Sequence, residues 1–196
     1  MLTILKPVAE KTLTPLARIL KNVPPNVLTL LGVIFPVLFF IFLIHEVYAL
    51  ALVFLVLNVA DMLDGLVARS QNKVTAFGGF LDSTVDRFAD FTVITAFAFA
   101  GIVSWELTAP LLLLTYLISY IRSRTELAAK GNLVAAVGIV ERTERFVMIF
   151  VGLLLFAIWP HATAWGLNIA ELAFLLLAAL SAVTVGQRIV FAYRKL

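Results

Sequence analysis

The feature that most constrains this chain is an uncharged run of 18 residues from Val27 to Ile44. A helix of about 20 apolar residues can cross the hydrocarbon core of a bilayer. Composition agrees, since 62% of the 196 residues are apolar and 14% are charged, against about 45–50% and about 25% in a soluble domain. Five shorter uncharged runs would each reach spanning length if a polar end extended them: Tyr48–Ala60, Phe91–Trp105, Leu107–Ile121, Phe146–Pro160 and Leu172–Gln187.

These runs predict an all-α integral membrane protein in which residues 1–196 form a single domain with six transmembrane helices. Residues 1–22 repeat apolar side chains at three- and four-residue spacing among basic ones. That pattern is typical of a short amphipathic helix lying at the membrane interface. The predicted spans are residues 27–44, 47–69, 79–103, 107–124, 141–159 and 169–193.

The distribution of positive charge predicts the orientation of these spans. With six spans, all 15 Lys and Arg residues fall on or next to one side of the membrane. The turns on the opposite side contain no Lys or Arg. Their charged or titratable side chains are His45, Glu46, Glu106 and His161. Because basic residues favour the cytoplasmic side, we expect a multi-pass protein of the cell membrane with both termini in the cytoplasm.

The most informative stretch holds four aspartates near the cytoplasmic ends of two predicted spans. Asp61 and Asp64 are three residues apart in the second span, and Asp82 and Asp86 are four apart in the third. Each pair therefore lies on one helix face. The loop between the spans is short, so the helices are expected to be antiparallel neighbours whose carboxylates converge.

Four carboxylates inside a membrane need a partner, because each costs at least about 2.5–3.5 kcal/mol to insert. Hard oxygen ligands without nearby His, in a chain that has no Cys, favour Mg²⁺, Mn²⁺ or Ca²⁺ over Zn²⁺. Two such ions about 3.5–4 Å apart would suit phosphoryl chemistry. The alternative is a cation or proton carrier that uses the acids as its relay, although the outer halves of the spans are nearly bare of polar groups.

The stretch Asp61-x-x-Asp64-Gly65-x-x-Ala68-Arg69, followed after eight residues by Gly78-x-x-x-Asp82-x-x-x-Asp86, resembles the signature of the CDP-alcohol phosphotransferase family of membrane enzymes. The resemblance implies that an acceptor hydroxyl attacks the lipid-side phosphorus of a CDP-lipid and that CMP leaves. It implies that Asp61, Asp64, Asp82 and Asp86 bind two Mg²⁺ or Mn²⁺ ions, with Asp86 also taking the proton of the acceptor.

The same resemblance implies a CDP-lipid site that includes small residues of the signature. The small side chains would let a pyrophosphate approach the backbone closely, although tight helix packing is an equally good explanation for the glycines. For Asn26 and Thr29, in a segment that resembles the start of the family's first helix, helix capping is the open alternative. The implied CDP-lipid residues are Asn26, Thr29, Asp61, Gly65, Ala68, Arg69 and Gly78.

Five arginines near the cytoplasmic side could bind the phosphate of an acceptor, since arginine makes bidentate contacts with phosphate. Four flank the loop between the fourth and fifth spans, and one lies at the inner end of the sixth. Topological anchoring is the alternative, and it is preferred for Lys130, Arg194 and Lys195. The candidate phosphate ligands are Arg122, Arg124, Arg142, Arg145 and Arg188.

Residues 120–126, 138–145 and 184–188 narrow the resemblance to the inositol phosphate branch of the family, which contains the archaetidylinositol phosphate and phosphatidylinositol phosphate synthases. The branch implies CDP-archaeol or CDP-diacylglycerol as donor and inositol 1-phosphate as acceptor, and the family as a whole implies a homodimer. Glycerol 3-phosphate would also need a basic pocket, so it stays an alternative acceptor. We expect no nucleic-acid partner.

Overall fold

The computed structural model describes residues 29, 32–58, 75–130, 133–135 and 137–196. The predicted interfacial helix of residues 1–22 lies outside the described residues, as do Asn26 and the 61–69 half of the aspartate signature. The chain divides into two compact units, Met1–Ala96 and Phe97–Leu196.

In the first unit, two apolar helices form a hairpin, α1 (Ile34–Ile44) and α2 (Tyr48–Leu57). The turn between them closes on backbone bonds from Glu46 N to Leu43 O, 3.0 Å, and from Val47 N to Phe42 O, 2.9 Å. The rings of Phe42 and Phe54 then stack with centroids 5.3 Å apart. The hairpin thus pairs two of the predicted apolar runs in antiparallel order.

Helix α3 (Ala76–Phe99) carries the second half of the signature and belongs to the first unit except for its last three residues. Its first turn is stabilised by Thr75, whose hydroxyl accepts a hydrogen bond from Gly78 N at 3.0 Å. The helix ends where Gly101 adopts a φ of +68° and Ile102 N bonds to Phe97 O at 2.9 Å. It therefore starts earlier and stops earlier than the predicted span of residues 79–103.

The second unit is built on α4 (Trp105–Ala128), α5 (Arg142–Ile158) and α6 (Ile169–Lys195). Helix α6 packs along both of the others. A β-carbon at Gly152 of α5 would lie 2.8 Å from the Ala173 Cβ of α6, so the packing of these two helices at this point requires a glycine.

A short hairpin precedes α6 and departs from the all-α prediction. Strands β1 (Thr163–Ala164) and β2 (Leu167–Asn168) pair antiparallel around Trp165 and Gly166, which have φ values of 54° and 78°. Asn168 then caps α6 by accepting a bond from Glu171 N at 3.0 Å.

The described helices confirm the all-helical class. By length and composition, α6 is the one helix within the described ranges that is long and apolar enough to cross a membrane, while α1 and α2 are shorter apolar helices. The layout of six spans stays a prediction.

Candidate active site

Three aspartates of α3 follow one another at single-turn spacing. Asp82 and Asp86 are half-buried, and the side chain of Asp86 is 18% exposed. Asp90, one turn further on, is fully buried at its side chain. The helix therefore presents a ladder of carboxylates that passes from partial to complete burial.

Arg87 forms a closer ion pair with Asp90 than with Asp86. Its Nη2 lies 3.3 Å from Asp90 Oδ2 and 3.7 Å from Asp86 Oδ2. The buried charge of Asp90 is thus balanced within the helix itself. The metal-ligand prediction for α3 rests on Asp82 and Asp86, which are only half-buried.

Helix α3 supplies two of the four carboxylates that are predicted to bind divalent metal ions. Asp82 and Asp86 supply hard oxygen ligands from one helix face, which is the chemistry that Mg²⁺ and Mn²⁺ prefer. Within the ranges that the structure describes, no group of three or more Asp, Glu, His or Cys side chains could hold a metal ion. Asp61 and Asp64, predicted to complete the site, lie outside the described residues.

Two of the residues predicted to bind the CDP-lipid lie within the described part of the chain. Thr29 is buried, and Gly78 is half-buried in the first turn of α3. Asn26, Gly65, Ala68 and Arg69 lie outside the described residues, as Asp61 does. The assignment of this group to a nucleotide site stays a prediction.

In the second unit, two of the candidate phosphate ligands are buried. Arg145 is 2% exposed and Arg188 is 4% exposed. Arg188 donates from Nε to Val137 O at 2.8 Å and from Nη1 to Ile118 O at 2.5 Å. Arg122 and Arg145 lie close enough to Arg188 to interact with it electrostatically. Glu126 and Glu141 also act on Arg188, and the two buried arginines, Arg145 and Arg188, add positive charge that the phosphate of a ligand could balance.

The two candidate arginines of α4 are not equivalent. Arg122 Nε pairs with Glu126 Oε1 at 3.0 Å, and Glu126 Oε1 also accepts a bond from Ala135 N at 3.1 Å. Arg124 is exposed and lies two residues from Arg122, a spacing that places side chains on different faces of a helix. Both arginines are exposed, and they differ in that Arg122 is paired with Glu126 and also acts on the charge of Arg188.

The last two candidate arginines lie near the start of α5. Glu141 precedes the helix and forms a capping box with Glu144. Arg142 lies over the ring of Phe146, 5.4 Å from its centroid, and Arg145 is buried a turn further on. Because a helix N-terminus favours anions, arginines at this end create a setting suited to phosphate.

Sequence reasoning missed three residues that shape this region: Glu126, Gly138 and Thr184. Thr184 of α6 accepts hydrogen bonds from Ile139 N at 3.3 Å and Val140 N at 3.1 Å. Each of the three lies in a segment that resembles the inositol phosphate branch, but residue spacing does not reveal what each one contacts in the fold. A threonine inside an apolar helix was the available signal for Thr184.

Half-buried carboxylates on one helix and an arginine cluster in the second unit define a candidate enzyme that acts on phosphate-bearing substrates. Residues 22–185 match the family model described as CDP-alcohol phosphatidyltransferase. The chain belongs to the CDP-alcohol phosphatidyltransferase family. Membership of this family identifies the chain as an enzyme rather than a cation or proton carrier.

Similar proteins agree with the family. The chain is 36% identical to the archaetidylinositol phosphate synthase of Pyrococcus horikoshii over 98% of each chain. It is 35% identical to the phosphatidylinositol phosphate synthase of Mycolicibacterium smegmatis, over 84% of this chain and 75% of that protein.

Solved structures show the same fold. The Mycobacterium tuberculosis phosphatidylinositol phosphate synthase with CDP-DAG bound superposes with a TM-score of 0.78, at 27% identity over 92% of each chain. The same enzyme in complex with manganese and citrate gives a TM-score of 0.73, at 28% identity over 92% of this chain and 88% of that one.

Proposed function

We propose that this chain transfers a lipid-phosphate group from CDP-archaeol or CDP-diacylglycerol to inositol 1-phosphate and releases CMP. The observation that supports a phosphate-bearing acceptor is the burial of two arginines of the second unit, Arg145 and Arg188. Such a cluster suits the phosphate of a polar acceptor better than an uncharged alcohol. The similar proteins are named as synthases of archaetidylinositol phosphate and phosphatidylinositol phosphate, which supports the same choice.

In this reaction a hydroxyl oxygen of inositol 1-phosphate forms a bond to the lipid-side phosphorus of the CDP-lipid. The bond between that phosphorus and the bridging oxygen breaks, and the electron pair leaves with CMP. The acceptor proton passes to a base, for which we propose Asp86. A partly exposed carboxylate can reach a substrate hydroxyl, which is the first requirement of a general base.

Two Mg²⁺ or Mn²⁺ ions, held by Asp61, Asp64, Asp82 and Asp86, would stabilise the charge of the pyrophosphate and of the attacking oxygen. The manganese in the similar synthase supports this choice of metal. The side chains of this protein would supply the orientation: the four aspartates would hold the ions that bind the donor, and Asp86 would also accept the proton of the acceptor hydroxyl.

The donor site proposed for the cytidine diphosphate keeps the small residues of the signature next to the acids. Small side chains permit close approach of a pyrophosphate to the backbone. The CDP-DAG in the similar synthase supports a CDP-lipid donor. The proposed residues are Asn26, Thr29, Asp61, Gly65, Ala68, Arg69 and Gly78.

We assign the phosphate of the acceptor to the five arginines. Their burial and their ion pairs indicate which of them contribute most to binding. Arg145, Arg142 and Arg188 come first because of their enclosure, and Arg122 shares its charge with Glu126. Arg122 and Arg124 are both exposed, so they rank below the other three arginines. Glycerol 3-phosphate carries the same phosphate group and is the second candidate acceptor.

The setting proposed for this chemistry is the cytoplasmic side of the cell membrane. We propose six spans with both termini and the active site at that side, because the basic residues concentrate there. We also propose a homodimer, as the family resemblance implies.

A thermal-stability experiment tests the nucleotide and metal parts of the proposal. The purified protein in detergent is heated with CMP or CDP, each with Mn²⁺, with Mg²⁺ or with EDTA. We expect both nucleotides to raise the Tm only when a divalent ion is present, because binding to the native state stabilises it. A Tm that is indifferent to both nucleotides under all three conditions would contradict the proposal.

A further inference from the structure

The hydroxyl of Thr184 uses its whole hydrogen-bonding capacity to hold a loop. It accepts from Ile139 N at 3.3 Å and from Val140 N at 3.1 Å, and it donates to Leu180 O of its own helix at 3.0 Å. A hydroxyl has one proton to donate and two lone pairs to accept with. Thr184 is fully buried, so water does not compete for these bonds.

The loop is shaped to receive this side chain. Gly138 has a φ of +143°, a conformation that other residues rarely adopt, and a β-carbon there would overlap the Thr184 methyl group. Arg188, one turn further along α6, donates to Val137 O at 2.8 Å. Residues 137–140 are thus fixed to α6 by a clamp of two side chains, Thr184 and Arg188.

The clamp lies directly before the arginines of α5. Val140 is followed by the cap residue Glu141, and Arg142 begins the helix. Arg145 N bonds to Glu141 O at 3.2 Å, so the position of Arg145 depends on the position of the cap. A shift of residues 139 and 140 would move the first turn of α5 with them.

We propose that Thr184 is a positioning residue that sets the acceptor-phosphate site by fixing the start of α5. This inference rests on the proposed function and adds to it a residue that touches no substrate. The hydroxyl is the active part, because it supplies both bonds to the loop. Loss of the hydroxyl should therefore affect the acceptor and spare the CDP-lipid.

The test compares three substitutions in the full-length protein. Thr184→Val removes the hydroxyl and keeps the shape, while Thr184→Ser keeps the hydroxyl. Thr115→Val is the matched control, since Thr115 of α4 is equally buried and its hydroxyl has no hydrogen-bond partner within the described part of the chain. For each variant, KM is measured for inositol 1-phosphate and for CDP-lipid, and hydrogen exchange is measured at the Ile139 and Val140 amides.

For Thr184→Val we expect the KM for inositol 1-phosphate to rise about tenfold, as two hydrogen bonds are lost, with the KM for CDP-lipid unchanged. The two amides should exchange roughly two- to tenfold faster. Thr184→Ser and Thr115→Val should behave as wild type in both assays. An equal rise in both KM values, or unchanged amide exchange, would overturn the proposal.

Two further results keep the test decisive. If Thr184→Val does not fold, the wild-type protein still decides the matter, because unprotected Ile139 and Val140 amides would overturn the clamp. If wild-type protein shows no transfer to inositol 1-phosphate, the proposed function fails. The exchange of the two amides in the variants then decides the clamp on its own.

Discussion

Arg87 and Asp90 form an ion pair one turn apart on α3, with Nη2 3.3 Å from Oδ2 and the aspartate side chain fully buried. The same Nη2 lies 3.7 Å from Asp86 Oδ2. Arg87 therefore links the buried acid to the acid that we propose as the base. The pair explains how α3 carries a third aspartate without adding a third uncompensated charge.

Removal of one partner of this pair should destabilise the protein. For Asp90→Asn we expect a loss of about 1–3 kcal/mol, because a buried charge-assisted bond is lost, read as a lower Tm in detergent. Arg87→Gln combined with Asp90→Asn should cost less than the sum of the single changes. Additive effects would show that the two residues are not coupled. Glu106→Gln, at an exposed acid in the first turn of α4, is the control.

Asp64→Asn should abolish CMP release, since it keeps the size of the side chain and removes a charged metal ligand. We expect millimolar Mg²⁺ not to restore activity, and the nucleotide-dependent rise in Tm to disappear. Activity within about fivefold of wild type, or roughly 1 kcal/mol of barrier, would contradict the assignment of Asp64 as a ligand.

Asp86→Asn should separate binding from chemistry. Three acidic ligands remain to hold the metals and the pyrophosphate, so CDP affinity should fall less than in Asp64→Asn, while kcat should fall by about 10²–10⁴-fold with the loss of a general base. The measurement is CDP affinity beside kcat for both variants. Equal loss of CDP binding would make Asp86 a ligand only, and a surviving kcat would refute its role as base.

Arg145→Gln should raise the KM for the acceptor far more than that for the CDP-lipid. A charge-assisted bond to a partly buried phosphate is worth about 1.5–3 kcal/mol, or roughly 10–150-fold. Arg194→Gln, at an exposed arginine of α6, is the matched control and should change neither KM. Equal effects of Arg145→Gln on both substrates would indicate general destabilisation.

The sequence predicted the helical class because long apolar runs leave few alternatives to a helix. Helix ends were harder to predict, since they depend on single caps. Thr75 starts α3 ahead of the predicted span by accepting a bond from Gly78 N. The hairpin around Trp165 and Gly166 was missed because this pair lacks the asparagine or aspartate that usually marks such a turn.

Contacts within the candidate site could be predicted from the sequence only in part. Spacing along a helix groups Asp82 with Asp86, and the motif of the family points to the arginines. Spacing does not reveal that Thr184 binds amides 44 and 45 residues away in the chain. It also does not reveal that Arg188 donates to the carbonyls of Val137 and Ile118. Backbone groups have no signature in the sequence, so side chains that bind them are recognised only in the fold.

The most direct test of the account is CMP release by the purified wild-type protein with a CDP-lipid and a panel of acceptors. The panel contains inositol 1-phosphate, glycerol 3-phosphate and unphosphorylated inositol, each with Mn²⁺ or Mg²⁺ and with EDTA. We predict metal-dependent release with inositol 1-phosphate, together with a lipid product that retains the inositol phosphate. Full activity with unphosphorylated inositol, or release that requires glycerol 3-phosphate instead, would contradict the account.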